Sequence, residues 1–257
     1  MRITLIGSGN VATTMGRKIY QSGHIIHQVY SKTAGHAAHL AEQLDTTAVS
    51  SAAEINHDAD LYILAVSDSV LDGVHEWLQL GEKLVVHTAG SVPMEVLKHV
   101  SVNYGILYPL QTLRKELNTN TTLPVLVDAN DEWNRAKLYG FAQSFADSVA
   151  YANDEERSKL HLAAVISNNF SNYLFAMAED YCEKEGVDFK MIVPLLEETV
   201  KRLVTASAAA TQTGPAIRRD EKTIGKHLEM LANYPVLKRF YEMFSEAIMR
   251  GFPSRRS

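Results

Sequence analysis

Ile3-Thr4-Leu5-Ile6-Gly7-Ser8-Gly9-Asn10-Val11-Ala12 runs an apolar, β-branched segment directly into Gly-x-Gly-x-x-Ala, and Met15, Ile19 and Tyr20 continue it at helical spacing. A strand, a tight turn and a helix in that order open a βαβ unit. Gly7 permits the turn, Gly9 removes the Cβ that would hold a pyrophosphate away from the backbone, and small Ala12 lets helix and strand pack closely. The free N–H groups at the start of the helix then face an anion. Gly7, Ser8, Gly9, Asn10 and Val11 are therefore the expected phosphate-binding residues of a dinucleotide site.

Outward from this turn, short β-branched runs alternate with helical patterns, each closed by Gly, Ser, Thr, Asp or Pro, as buried parallel strands are. Strands are expected at 3–6, 25–30, 47–49, 61–66, 84–87, 103–108, 125–127 and 148–151. After Asn153 the period changes to 3.6 residues, and helices are expected at 154–184, 189–210, 221–233 and 235–250, with Asp154 as an N-cap, Gly186 as a stop and Pro235 in a first turn. The fold class read from this pattern is α/β: a Rossmann-type, mostly parallel sheet over residues 1–152, followed by an all-helical part over 153–257. Four helices in about 100 residues cannot cover apolar positions such as Ile192, Leu195, Leu196, Leu203 and Val204. A homodimer through the helical half is the expected remedy.

The 257 residues are 46% hydrophobic and 21% charged, which excludes a disordered or collagen-like chain. A formal charge of −5 supplies no positive field for nucleic acid or anionic lipid. Cys182 is the one cysteine and has no intrachain partner, so a disulfide framework and a cysteine-based zinc site are excluded. No apolar run approaches the roughly 18 residues of a membrane span, and the run after Arg2 is too short for a signal segment. A cytoplasmic location follows as an expectation, and the tail from Arg250 reads as a solvated end.

In open α/β sheets, ligands sit outside the carboxyl ends of the strands. At the second strand's end, where NAD-selective sites place an acid, stand Tyr30, Ser31, Lys32 and Thr33. Ser31, Lys32 and Thr33 can bind and neutralise a ribose 2′-phosphate that a carboxylate would repel, which favours NADP; an ordinary solvated turn is the alternative. Val66 and Ser67 after the fourth strand should lie along the cofactor, and His87 and Thr88 after the fifth near its nicotinamide. His87 has the competing reading of a strand-end histidine bonded to backbone, and Asp68 that of an N-cap. On the long helix, Ser158, His161, Val165, Asn168 and Asn172 form one stripe on an otherwise apolar surface. His161 is the preferred proton donor, with His87 as the other candidate; Asn168 is expected to hydrogen-bond substrate or nicotinamide and Asn172 substrate, with an interhelical or solvent face as the alternative for the stripe. Arg218 or Arg219 could clamp a substrate carboxylate or grip the cofactor phosphate, or their loop could simply lead into a helix started by Asp220. The pairs His24/His27 and His36/His39 lack a third ligand, so no metal site is expected, and no Gly-x-Ser-x-Gly elbow supports a serine hydrolase.

Gly7-Ser-Gly-Asn-Val-Ala12, Ala65-Val-Ser-Asp68, His87-Thr-Ala-Gly-Ser91, Tyr108-Pro-Leu-Gln-Thr112, His161 with Asn168-Asn169-Phe170, and Gly214-Pro-Ala-Ile-Arg-Arg-Asp220 together resemble the Rossmann-like proteins with a C-terminal DUF2520 domain, labelled NADP oxidoreductases. That family is similar in fold to pyrroline-5-carboxylate reductase, ketopantoate reductase and the 6-phosphogluconate and β-hydroxyacid dehydrogenases. The resemblance implies NADP as cofactor and a helical, dimer-forming domain of the 6-phosphogluconate dehydrogenase type that completes an interdomain site. The chain departs from β-hydroxyacid dehydrogenases, which carry a Lys and an Asn four residues apart on the long helix, because Val165 follows His161 at that spacing. The leading expectation is an NADP-dependent oxidoreductase moving a hydride to or from a small carbonyl, hydroxyl or imine carbon. A pyrroline-5-carboxylate-reductase-like imine reductase and a non-catalytic NADP-binding sensor are the alternatives.

Overall fold

The computed structural model describes residues 1–115 and 122–252; the last residues of the tail expected to be solvated lie outside them. Strands β1 (Arg2–Ile6), β2 (Ile25–Tyr30), β3 (Thr47–Val49), β4 (Leu61–Leu64), β5 (Leu84–His87), β6 (Tyr104–Pro109), β7 (Pro124–Ala129) and β8 (Ser148–Tyr151) form one sheet in the order β3-β2-β1-β4-β5-β6-β7-β8. The first six are mutually parallel, β7 runs antiparallel to β6, and β8 is parallel to β7. This is the doubly wound Rossmann order with two strands added at one edge. The chain reverses its direction of winding between β1 and β4, so a crevice opens there at the carboxyl ends.

The central strands β1, β4 and β5 are largely apolar because both faces are covered. Ile3 and Leu5 of β1, Ile63 of β4 and Val86 of β5 pack into one core with Met15 and Ile19 of α1 (Asn10–Gln21), Leu40 of α2 (Ala34–Gln43) and Leu138. Ile6, Tyr62, Leu64 and Val85 point the other way, against Leu71 of α3 (Asp68–Leu71), Val74, Leu78 and Leu97. Each fully buried aliphatic side chain contributes about 1.5–3 kcal/mol. Two cores of this size fix the register of the sheet, since a one-residue slip would exchange them. Helix α4 (Glu132–Gln143) is capped by Asp131, which accepts from the Asn134 N–H.

A helical run from Asp154 to Lys184 follows β8, in three pieces: α5 (Asp154–Ala164), a π-helical turn (Val165–Phe170) and α6 (Ser171–Lys184). Its N-cap is Asn153, one residue before the expected Asp154. Asn153 and Glu156 form a reciprocal capping box, with both hydrogen bonds at 3.0 Å, while the Asp154 carboxylate is turned to Arg157. The first compact unit spans Met1–Asn168 and the second begins at Asn169. The change from strands to helices at residue 152 is thus distinct from the end of the first unit, which keeps α5 because Asp154, Arg157 and His161 bond to the strand exits.

In the second unit, α7 (Val193–Arg202), α8 (Glu221–Met230) and α9 (Pro235–Gly251) follow α6. The helix expected to reach Ala210 stops at Arg202. Its last turn tightens into i→i+3 bonds from Leu203, Val204 and Thr205, and the Thr205 and Ser207 hydroxyls compete for neighbouring backbone groups. Asp220 caps α8 by accepting from the Thr223 N–H at 3.0 Å, and Pro235 occupies the first turn of α9.

Candidate active site

At the crevice, Gly7 adopts φ +117° and its N–H donates to the Tyr30 carbonyl at 2.8 Å. A Cβ built there would lie 2.2 Å from the Ala65 carbonyl oxygen, so both conformation and space demand glycine. Gly9 is the N-cap of α1, has no neighbour within 4 Å of where a Cβ would project, and precedes a first turn without acidic side chains. The amide end of α1 therefore stands open and uncompensated, as an anion site requires. Close helix–strand packing rests on Gly16 as well as Ala12: a Cβ on Gly16 would meet Leu5 Cδ1 at 2.7 Å.

A groove of about 290 Å³ opens over this turn, walled by Gly7, Gly9, Ser31, Val66, Ser67 and Trp77 among others. Ser8 Oγ donates to Ser31 Oγ at 2.9 Å, which joins the glycine turn to the end of β2. Lys32 is exposed at the groove, and exposed Thr33 is the N-cap of α2 with its side chain uncommitted to the helix. The open amide cradle, the lack of a carboxylate at β2 and the indole of Trp77, 5.6 Å from the Tyr30 ring, fit a dinucleotide with a phosphorylated ribose. Trp77 escaped the sequence reading because it lies well beyond the β4 exit it serves. Thr88 is placed differently from Ser67: its N–H and hydroxyl both address the Leu64 carbonyl, at 3.2 and 3.4 Å, and tie β5 to β4. The Asn10 amide oxygen accepts from the Lys115 N–H at 3.4 Å.

The two candidate histidines differ in environment. His87 is fully buried; its Nδ1 accepts from the Ala89 N–H at 3.2 Å, leaving Nε2–H to face the Pro93 carbonyl at 3.3 Å. Burial, assisted by the Arg157 charge, pushes its pKa down to about 4. With no solvent exposure and both ring nitrogens facing backbone groups, it is neutral near pH 7. His161 is half-buried, and its Nδ1 lies 2.9 Å from Tyr108 Oη at the exit of β6, the rings meeting edge-on. Burial raises the Tyr108 pKa while Arg157 opposes the shift, so the phenol is neutral near pH 7.

Arg157, one turn before His161, has no solvent exposure. It donates from Nε to the Gly90 carbonyl at 3.2 Å and from Nη2 to the Val92 carbonyl, and pairs through Nη1 with Asp154 at 2.6 Å. The other Asp154 oxygen accepts from the Met94 N–H at 3.0 Å. A buried cation with this many acceptors clamps the segment after β5 onto α5. In the π-helical turn, Asn168 donates from Nδ2 to Thr112 Oγ1 at 2.6 Å. His161 and Asn168 of the stripe thus meet Tyr108 and Thr112 of a single strand exit. Asn172 belongs to the second unit and is exposed on α6. In that same unit Arg218 is exposed, and Arg219, at φ +53°, donates to the Met249 carbonyl at 2.9 Å. Tyr108 stood in the sequence reading only as a strand-end residue, and Arg157 gave no signal beyond its i, i+3 relation to Asp154.

Sheet order, glycine turn and groove define a Rossmann-type fold with an open anion-binding turn of the kind that holds a dinucleotide. The family described as NADP oxidoreductase coenzyme F420-dependent matches residues 2–90, and the domain of unknown function DUF2520 matches residues 123–248. A Bacteroides fragilis protein described as a "putative NADP oxidoreductase" is 37% identical, over 97% of this chain and 98% of its own, with a TM-score of 0.89. The chain belongs to this family of Rossmann-type NADP oxidoreductases with a DUF2520 domain, whose cofactor is NADP. The fold is also that of 1-pyrroline-5-carboxylate reductase from Streptococcus pyogenes (14% identity, 97% and 98% covered, TM-score 0.63) and of an imine reductase from Myxococcus stipitatus solved with NADP+ (16% identity, 99% and 96% covered, TM-score 0.69). No curated protein matches the chain by sequence. Among the described residues, no helix is long and apolar enough to cross a membrane.

Proposed function

We propose that the chain transfers a hydride between NADP(H) and a small carbonyl, hydroxyl or imine carbon, with His161 as the proton-exchanging side chain. The observation that carries this reading is the half-exposed imidazole of His161, bonded to Tyr108 at the carboxyl edge of the sheet that also forms the acid-free groove. Bound NADPH supplies the hydride. The amides of the glycine turn would hold its diphosphate, Ser31, Lys32 and Thr33 its 2′-phosphate, and Val66 and Ser67 its ribose. In the direction of reduction His161 gives a proton to the oxygen or nitrogen as the carbon accepts hydride; in oxidation it takes that proton back. Asn168, turned to Thr112, offers its amide oxygen to a substrate donor. Exposed Arg218 is the better choice for a substrate carboxylate, since Arg219 already holds the Met249 carbonyl.

The exposed apolar residues of the second unit, Leu195 at 63% and Val204 at 86% among them, support assembly as a homodimer through that unit. A lone Cys182 fits the reducing conditions of a cytoplasm. The test is NADPH oxidation against matched panels of small ketones, aldehydes and cyclic imines, with wild type and His161→Ala. Turnover of at least one class, reduced about 10²- to 10⁴-fold in the variant, is expected from the usual worth of a positioned acid. Tight NADPH binding without turnover of any panel member would favour a sensor, and undiminished turnover in the variant would remove His161 from the chemistry.

A further inference from the structure

Two nitrogens of one imidazole cannot both meet the substrate, and the surroundings of His161 distinguish them. On one side the ring lies against Gly90: a Cβ built on Gly90 would come within 2.5 Å of Nδ1 and 2.6 Å of Cγ. On the other, Tyr108 Oη stands 2.9 Å from Nδ1. Nε2 has no hydrogen-bond partner among the described residues. The seat itself is stiff, because buried Arg157 holds the Gly90 carbonyl from the same helix, four residues before His161. The ionisable groups established at this seat are Tyr108 from β6 and, one turn earlier on α5, Arg157 paired with Asp154.

We propose that Gly90 and Tyr108 form a dedicated seat for His161 in which the Tyr108 oxygen accepts from Nδ1–H, reserving Nε2 as the one atom that exchanges protons with the substrate. Tyr108 is then a positioning residue. This rests on the reading of His161 given above. In reduction, imidazolium Nε2–H gives its proton to the substrate oxygen or nitrogen while hydride reaches the carbon and the π pair becomes the new O–H or N–H bond. His161 is left neutral with its remaining proton on Nδ1, still donated to Tyr108, and water reprotonates Nε2. In oxidation the Nε2 lone pair, exposed by the same tautomer, accepts the hydroxyl or amine proton. A seat that fixes Nδ1–H therefore serves both directions, whereas the Nε2–H tautomer would block the second.

Tyr108→Phe removes one oxygen and leaves the ring that packs against His161. The experiment is ¹⁵N–¹H correlation of the His161 ring nitrogens in full-length wild type and Tyr108→Phe, without substrate, above the imidazole titration, together with NADPH affinity and steady-state kinetics. The expected result is Nδ1–H in wild type and a shift towards Nε2–H in the variant. NADPH affinity should be unchanged, and kcat should fall about 10- to 100-fold at constant KM, as expected from losing part of a positioned proton transfer. Gly90→Ala should displace the ring and give the same tautomer shift with Tyr108 intact. A predominant Nε2–H tautomer in wild type, or an unaltered tautomer in Tyr108→Phe, overturns the seat even if His161 proves essential. Normal turnover by His161→Ala overturns the underlying function instead, whatever the tautomer.

Discussion

His87 and His161 show how one residue type acquires two fates from its surroundings. Fully buried and bonded to backbone at both ring nitrogens, His87 is held neutral with its pKa near 4, below the ordinary 6.5. The folded state thus binds fewer protons than the unfolded chain between those values, so this contribution to stability is complete above about pH 6.5 and is lost as pH falls through 4. At about 1.4 kcal/mol per unit, protonation costs about 3 kcal/mol. Urea titrations should show stability falling between pH 6.5 and 4.5, with a shallower fall in His87→Asn; equal slopes would mean that other groups carry the acid sensitivity. At the same scale, Arg157→Met should destabilise by about 1–3 kcal/mol for each of the Gly90 and Val92 carbonyls it leaves without a donor, while part-exposed Asp154 keeps the Met94 N–H. Chemical denaturation checks this, and a loss under 1 kcal/mol would show the clamp to be dispensable.

Among the elements, α5 takes its start from a local device. The Asn153–Glu156 capping box satisfies two terminal N–H groups, and Asn153→Ala should cost about 1 kcal/mol of stability by denaturant titration; no change would mean that the Arg157 clamp alone holds the helix start. The strands were legible for a physical reason: with both faces buried, β1, β4 and β5 are largely apolar, and the glycine turn announces the first crossover. Helix ends were less so. Local competition by Thr205 and Ser207 stops α7 at Arg202, and the π-helical turn inside the 154–184 run leaves the apolar pattern on both sides intact. The i, i+3/i+4 stripe brought out His161 and Asn168, but their partners Tyr108 and Thr112 are 53 and 56 residues away. No spacing rule encodes such pairings; only the return of the helix across the exits of β5 and β6 creates them. Buried Arg157 was hidden by its own chemistry, since an Asp-x-x-Arg pair reads as a solvated one until the fold covers it.

For the molecule as a whole, the second unit exposes more apolar side chain than a solvated surface carries comfortably, with Met191, Leu195, Leu203 and Val204 all more than half exposed. Light scattering behind size exclusion should give twice the 28.5 kDa chain mass, and Leu195→Asp with Val204→Asp should shift it to the monomer; a wild-type monomer at micromolar concentration would refute the assembly. The central claim, that the open amide end of α1 and the acid-free exit of β2 bind a phosphorylated nicotinamide nucleotide, is tested most directly by calorimetric titration of the full chain. NADPH should bind at least about tenfold more tightly than NADH, through charge-assisted contacts to its extra phosphate, and Gly7→Ala should abolish the heat. Equal affinity for the two, or no heat from either at millimolar concentration, would contradict the account.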